Sequence, residues 1–224
     1  MQLRVLGGAH LGAGDPAAAL AAAQAALALA DPTEPTPEPL LARQVAVLAQ
    51  ALLGEFAAAR AGMDAAIREL RAMGRSESAP ELLRLRRSRA EILLRSGQAQ
   101  LAQVELKALI ELLQARSAPA HYDLGQILDL LGCVQRELGR AAEALASHRR
   151  ARESLQRVLP SEHPFLLRNL LYQAVAGRDT EEFIRQAEQA KRLWAAGFSW
   201  QRLIAAHLDP SSCRALATPC VFVL

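Results

Sequence analysis

One residue type recurs at a near-constant interval in this 224-residue chain, and that interval limits the fold more than any other feature. Five glycine turns, Gly14-Asp15, Gly54-Glu55, Gly97-Gln98, Gly139-Arg140 and Gly177-Arg178, have their glycines 40, 43, 42 and 38 residues apart. Self-similarity with a period of about 20–50 residues marks a stacked repeat. Each turn lies between segments whose apolar residues recur at three and four positions, the period of an amphipathic helix. A chain reversing between two helices needs φ > 0 at the turn, and glycine takes that conformation with the least strain.

A second regularity follows each turn. Five residues past the first four glycines stand Ala19, Ala59, Ala102 and Ala144; nine past stand Ala23, Met63, Leu106 and His148. Twelve past stand Ala26, Ala66, Leu109 and Ala151. These offsets lie four and three apart, so they make one stripe on the second helix of each pair. A small residue near the turn lets the paired helices approach, and larger ones fill the gap as it widens. His148 lies on this stripe and reads as a core or semi-buried residue.

Composition agrees with helix pairs. Apolar residues are 51% of the chain and aromatics only 4%, so Leu and Ala must supply most of the packing. Both are strong helix formers. The best strand candidate is Val221-Phe222-Val223-Leu224. The expectation is an all-α chain, a right-handed α-solenoid of about five antiparallel hairpins near 1–31, 40–74, 81–116, 121–159 and 165–196. Residues 1–197 make one repeat domain, and 198–224 a short helix starting at Ser199 with an irregular tail. Asp31 to Pro39 carries four prolines and is expected to be extended. The fifth hairpin is degenerate, because Glu182 takes the place of the small residue.

The order of residues makes the resemblance specific. Leu6-Gly7, Gly14-Asp15, Ala19-Leu20, Ala26-Leu27 and Asp31-Pro32 together resemble a tetratricopeptide repeat, as do Leu131-Gly132, Gly139-Arg140, Ala144-Leu145 and Ala151. The stretch from Leu138 to Pro164, ending in His163-Pro164, is similar to the longer repeat of kinesin-light-chain-type arrays. The spacing of the turns suits that subtype better than the ordinary repeat of about 34 residues. Such arrays commonly receive partner segments on the inner face of their first helices. The resemblance places Arg4, Gly8 and Leu11 there in the first hairpin, and Gln44, Leu48 and Ala51 in the second. It adds Arg84, Arg87, Glu91 and Arg95 in the third and Gln126, Asp129, Cys133 and Arg136 in the fourth.

The third set is the best contact candidate. Its members are spaced three, four and four, so they share one helical face, and three guanidiniums could grip carboxylates through paired hydrogen bonds. The competing reading is a solvated face with one Glu91–Arg95 pair. A polar fourth set (Asp129, Arg136) beside an apolar second one (Leu48, Ala51, Leu52) suggests a ligand acidic at one end and apolar at the other.

No catalytic constellation survives weighing. The five histidines, His10, His121, His148, His163 and His207, are scattered, and none forms HExxH or pairs with cysteine at metal spacing. Gly7-Gly8 to Gly14 lacks the Lys and Ser/Thr of a phosphate loop, and reads as small residues where helices cross. Kinase signatures are absent. The three cysteines, Cys133, Cys213 and Cys220, match no disulfide framework and suit a reducing compartment. Net charge is +3, too mild for one strongly basic nucleic-acid face. His10, Asp15, Pro16 and Gln24 interrupt any signal-peptide core.

The chain is therefore expected to be a cytoplasmic protein-interaction scaffold, with no enzymatic role, metal or cofactor and no membrane span. An alternative is a regulatory part of a larger bacterial signalling protein, a Ser/Thr kinase or transcriptional regulator. Nucleic-acid binding ranks below both. Leu3, Val5, Leu6 and Leu11 at one end, with Phe198, Trp200, Leu203 and Ile204 at the other, could support a homodimer.

Overall fold

A computed structural model describes residues 14–29, 38–116, 121–161 and 163–177, with Gly7, His10, Leu11, Glu181, Glu182 and Arg185. Among these residues there are eight helices and no strand. The helices are α1 (Pro16–Ala28), α2 (Glu38–Leu52), α3 (Phe56–Ala72), α4 (Pro80–Arg95), α5 (Ala99–Gln114), α6 (His121–Glu137), α7 (Ala141–Leu155) and α8 (Pro164–Ala176). Gly7, His10 and Leu11 are also helical and precede the first turn. The proposed tail helix, the strand candidate and the apolar ends at Leu3–Leu6 and Phe198–Ile204 lie outside the described residues.

The turns behave as the glycines require at four of five positions. Gly14, Gly54, Gly97 and Gly139 have φ of 77°, 83°, 77° and 76°, in the left-handed region. Gly177 instead ends α8 at φ −77°, in helical conformation. A Cβ at Gly139 would meet nothing within 4 Å, so Gly139→Ala isolates the cost of the backbone conformation. That substitution is expected to destabilise by about 1–2 kcal/mol, read as a lower urea midpoint at unchanged m-value. No loss of stability would show that this turn relaxes without left-handed backbone.

The linker before the second hairpin is shorter than its prolines suggest. Glu38 and Pro39, expected in an extended segment, already belong to α2. A proline in the first turn of a helix breaks no intrahelical hydrogen bond, so the helix can start there. Helix α1 has a side-chain cap: Asp15 accepts from the Ala18 N–H at 3.0 Å, with Pro16 next.

Two compact units divide the chain between Ser96 and Gly97. In the first, α2 packs against α1, α3 and α4. Leu11, Ala19 and Ala23 meet Val45, Leu48 and Ala49 in one cluster. Met63, Ile67 and Leu70 from α3 meet Val47 of α2 and Leu82, Leu85 and Ile92 of α4 in another. The sequence reading puts Leu11 at an open solenoid end or groove, but it is buried in the first cluster. Gly7 has to be small, since a Cβ there would lie 3.0 Å from Val45 Cγ1 on α2.

In the second unit α6 packs against α5, α7 and α8. Residues Gly125 through Gln135 of α6 are all buried, so this helix has no solvent face over about three turns. The stripe read from sequence is its counterpart on the second helices. Ala102, Leu106, Leu109, Ala144, His148 and Ala151 are all buried, as are Ala19, Ala23, Ala59, Met63 and Ala66; Ala26 is half-buried. No described helix is long and apolar enough to cross a membrane.

Candidate partner-binding face

Helix α4 carries five arginines, and the structure sorts them by what they touch. Arg86 pairs with Glu77 at 2.9 Å and Arg89 with Asp64 of α3 at 3.1 Å. Arg95 pairs with Glu91 at 3.3 Å, and both side chains are largely buried. Glu77 also takes two bonds from Arg71. Those bonds foremost, with the charges of Arg71 and Arg86, hold its carboxyl below the usual range against the opposing effect of burial. Arg84 differs: it is exposed, its Nε donates to the Pro80 carbonyl of its own helix, and it makes no ion pair among the described residues. Arg87, one turn further on, is half-buried.

The four-residue face expected on α4 therefore grades from open to closed. Arg84 is open and Arg87 half-buried at its start, while Glu91 and Arg95 are folded into an internal pair at its end. Gln44 on α2 is half-buried. Leu48 and Ala51 are core residues, so the apolar end expected for the ligand meets no open surface there. Arg4 and Gly8 of the first set lie outside the described residues.

The fourth set separates in the same way. Arg136 is half-buried, whereas Gln126 and Cys133 are buried. Asp129 is 0% exposed and does not face a groove at all. Its Oδ1 accepts from His148 Nδ1 at 2.8 Å and from Asn169 Nδ2 at 2.7 Å, and its Oδ2 accepts from Arg168 at 3.2 Å. Asn169 also donates to the His148 carbonyl at 2.9 Å and accepts from Gln173. Burial would raise the Asp129 pKa, but the His148 bond and charge, with Arg168 and Asn169, hold it below its ordinary value. The physical reason for the correction is plain: a carboxylate this deep persists only when several donors replace its lost water.

The network joins α6, α7 and α8. The Tyr172 ring lies 5.3 Å from the His148 ring, and the Arg168 guanidinium sits 4.8 Å over Phe165. Ser154 donates to the His121 carbonyl and Arg152 to the Leu166 carbonyl, adding two side-chain ties between the same helices. Its one trace in the sequence is Arg168-Asn169, which interrupts an otherwise apolar run from Phe165 to Tyr172. Among the described residues, no three His, Cys, Asp or Glu side chains gather as a metal site.

No protein-family model matches the sequence, and no curated protein matches it. Solved structures do. A point variant of nearly identical TPR-like repeats, described as a Podosopora anserina kinesin light chain, aligns at TM-score 0.61 and 18% identity, covering 87% of this chain and 93% of that one. A second structure of those repeats aligns at TM-score 0.58 with 18% identity over 87% and 94% of the two chains. BtubC (BKLC) from P. vanneervenii aligns at TM-score 0.63 and 17% identity, covering 87% of this chain and 79% of that one. At such identity the likeness establishes a TPR-like, all-helical repeat fold.

Proposed function

We propose that this TPR-like helical repeat chain is a protein-interaction module whose first unit takes an acidic partner segment at the start of α4. The observation that carries the reading is the sorting of the α4 arginines. Arg86, Arg89 and Arg95 are engaged by Glu77, Asp64 and Glu91, whereas Arg84 is exposed and makes no ion pair among the described residues. A planar guanidinium recognises a carboxylate through two parallel N–H bonds, so an exposed arginine at the start of α4 suits an acidic peptide or a C-terminal carboxylate. Gln44 of the second hairpin is a secondary contact. Arg136, half-buried, belongs to the second unit and is a separate polar contact there, whereas Gln126 is buried and contributes none.

The test uses a fluorescent Glu/Asp-rich peptide and anisotropy, with affinity purification and mass spectrometry beside it. The double reversal Arg84→Glu/Arg87→Glu is expected to weaken peptide binding at least about tenfold, the worth of one charge-assisted hydrogen bond. It should also empty the purification of its acidic-segment partners. Unchanged affinity together with an unchanged set of captured proteins would overturn the assignment.

A further inference from the structure

We propose that His163 is an acid-sensitive latch: as a neutral ring it caps α8 and holds that helix on the fourth hairpin, and as an imidazolium it lets go. His163 stands in extended conformation immediately before Pro164, the first residue of α8. Its Nδ1 accepts the Phe165 N–H at 3.2 Å, and its carbonyl accepts from Leu166 at 2.9 Å and Leu167 at 3.2 Å. Its own N–H donates to the Pro160 carbonyl at 2.9 Å. The ring lies 5.1 Å from the Phe165 ring.

Only a lone pair on Nδ1 can make that cap, so the ring must be neutral with its proton on Nε2. A second proton would set a donor against a donor and place positive charge at the positive end of the helix dipole. The charged neighbours oppose it too. On α8 the Arg168 guanidinium covers Phe165, and on α7 Arg152 donates to the Leu166 carbonyl. From α6 the Tyr122 ring lies 6.0 Å from Phe165. Asp129 of α6 is engaged by Arg168, and among the described residues no carboxylate pairs with the His163 ring.

Burial first, then the Arg168 charge, holds the His163 pKa below its ordinary 6.5. A folded-state pKa below the unfolded one means that the cap contributes fully above about pH 6.5 and is lost as pH falls through the lowered folded value. The choice of residue is what confers this. Release of α8 would uncover Leu155, Phe165 and Leu166, the cluster it closes.

Hydrogen exchange by mass spectrometry on the full chain at pH 7.5 and pH 5.0, corrected for intrinsic rates, tests the latch. Peptides covering 163–171 report α8, and peptides covering 127–134 of α6 serve as reference. In the wild type, protection at 163–171 should fall about fivefold at pH 5.0, the scale of a lost side-chain cap. His163→Asn, which keeps an acceptor without titrating, should hold its protection at both values. His163→Ala should show the lower protection at both. Wild-type protection that does not change with pH would overturn the proposal. So would His163→Asn with the wild-type response, which would place the sensor elsewhere.

Discussion

Asp129→Ala is expected to remove about 3–5 kcal/mol of stability from the second unit, the range for breaking a buried ion pair by deleting one partner. The size of the loss follows from what would be left behind. His148 Nδ1, Arg168 and Asn169 Nδ2 all donate to that one carboxylate, and none could reach water without opening the packing of α6, α7 and α8. Each buried donor without an acceptor adds its own desolvation penalty. Asp129→Asn keeps the volume and one acceptor oxygen, so its loss should be smaller. Chemical denaturation of both variants beside wild type measures the difference. A wild-type midpoint for Asp129→Ala would mean that the network is solvated and that its hydrogen bonds contribute little.

The same carboxylate sets an acid response that can be separated from the His163 latch by its pH window. Its pKa is lowered from the ordinary 3.8, so the stabilisation it gives is complete above about pH 3.8 and disappears as pH falls through the lower folded value. The latch acts near and below pH 6.5, well above that window. Two steps of acid sensitivity are therefore expected in the wild type, and Asp129→Asn should abolish only the lower one.

Gly132→Val is expected to cost about 3 kcal/mol, near the top of the range for overpacking a core. A Cβ at Gly132 would lie 2.6 Å from two atoms of the His148 ring and 2.8 Å from a third. A flexible side chain could swing aside, but Asp129 holds this ring at Nδ1 and Asn169 holds the backbone carbonyl of the same residue. Gly132→Ala should lose less, because alanine gains up to about 1 kcal/mol over glycine in helix propensity. The His148→Ala background distinguishes a clash from a general loss of helix packing. If the ring is the obstacle, Gly132→Val adds less destabilisation there than in wild type, as a coupling energy in a double-mutant cycle. Equal costs in both backgrounds would place the strain elsewhere.

Much of the architecture is legible in the sequence because it is local and periodic. The glycine turns and the stripe of Ala19, Ala59, Ala102 and Ala144 depend on backbone reversal and close helix approach, which each repeat must solve for itself. The same reasoning correctly places His148 inside. It misplaces Asp129, because position on a helix face is visible in the sequence, whereas the burial of that face depends on which helix covers it. Asp129 and Arg168 are 39 residues apart, and their pairing becomes visible only once α8 lies against α6. Arg84 and Arg95 show the same limit within one helix: both sit on the face read from spacing, yet one is open and the other is tied to Glu91.

Sequence alone thus determined that this chain is helical, that its helices pair across glycine turns, and which residues seal each pair. Those features follow from torsional preference and helical periodicity, which act over a few residues. Tertiary structure alone decided which polar residues remain exposed. Charged groups carry no label for burial in the sequence, and their role is set by the electrostatic partners that distant helices bring within hydrogen-bond reach.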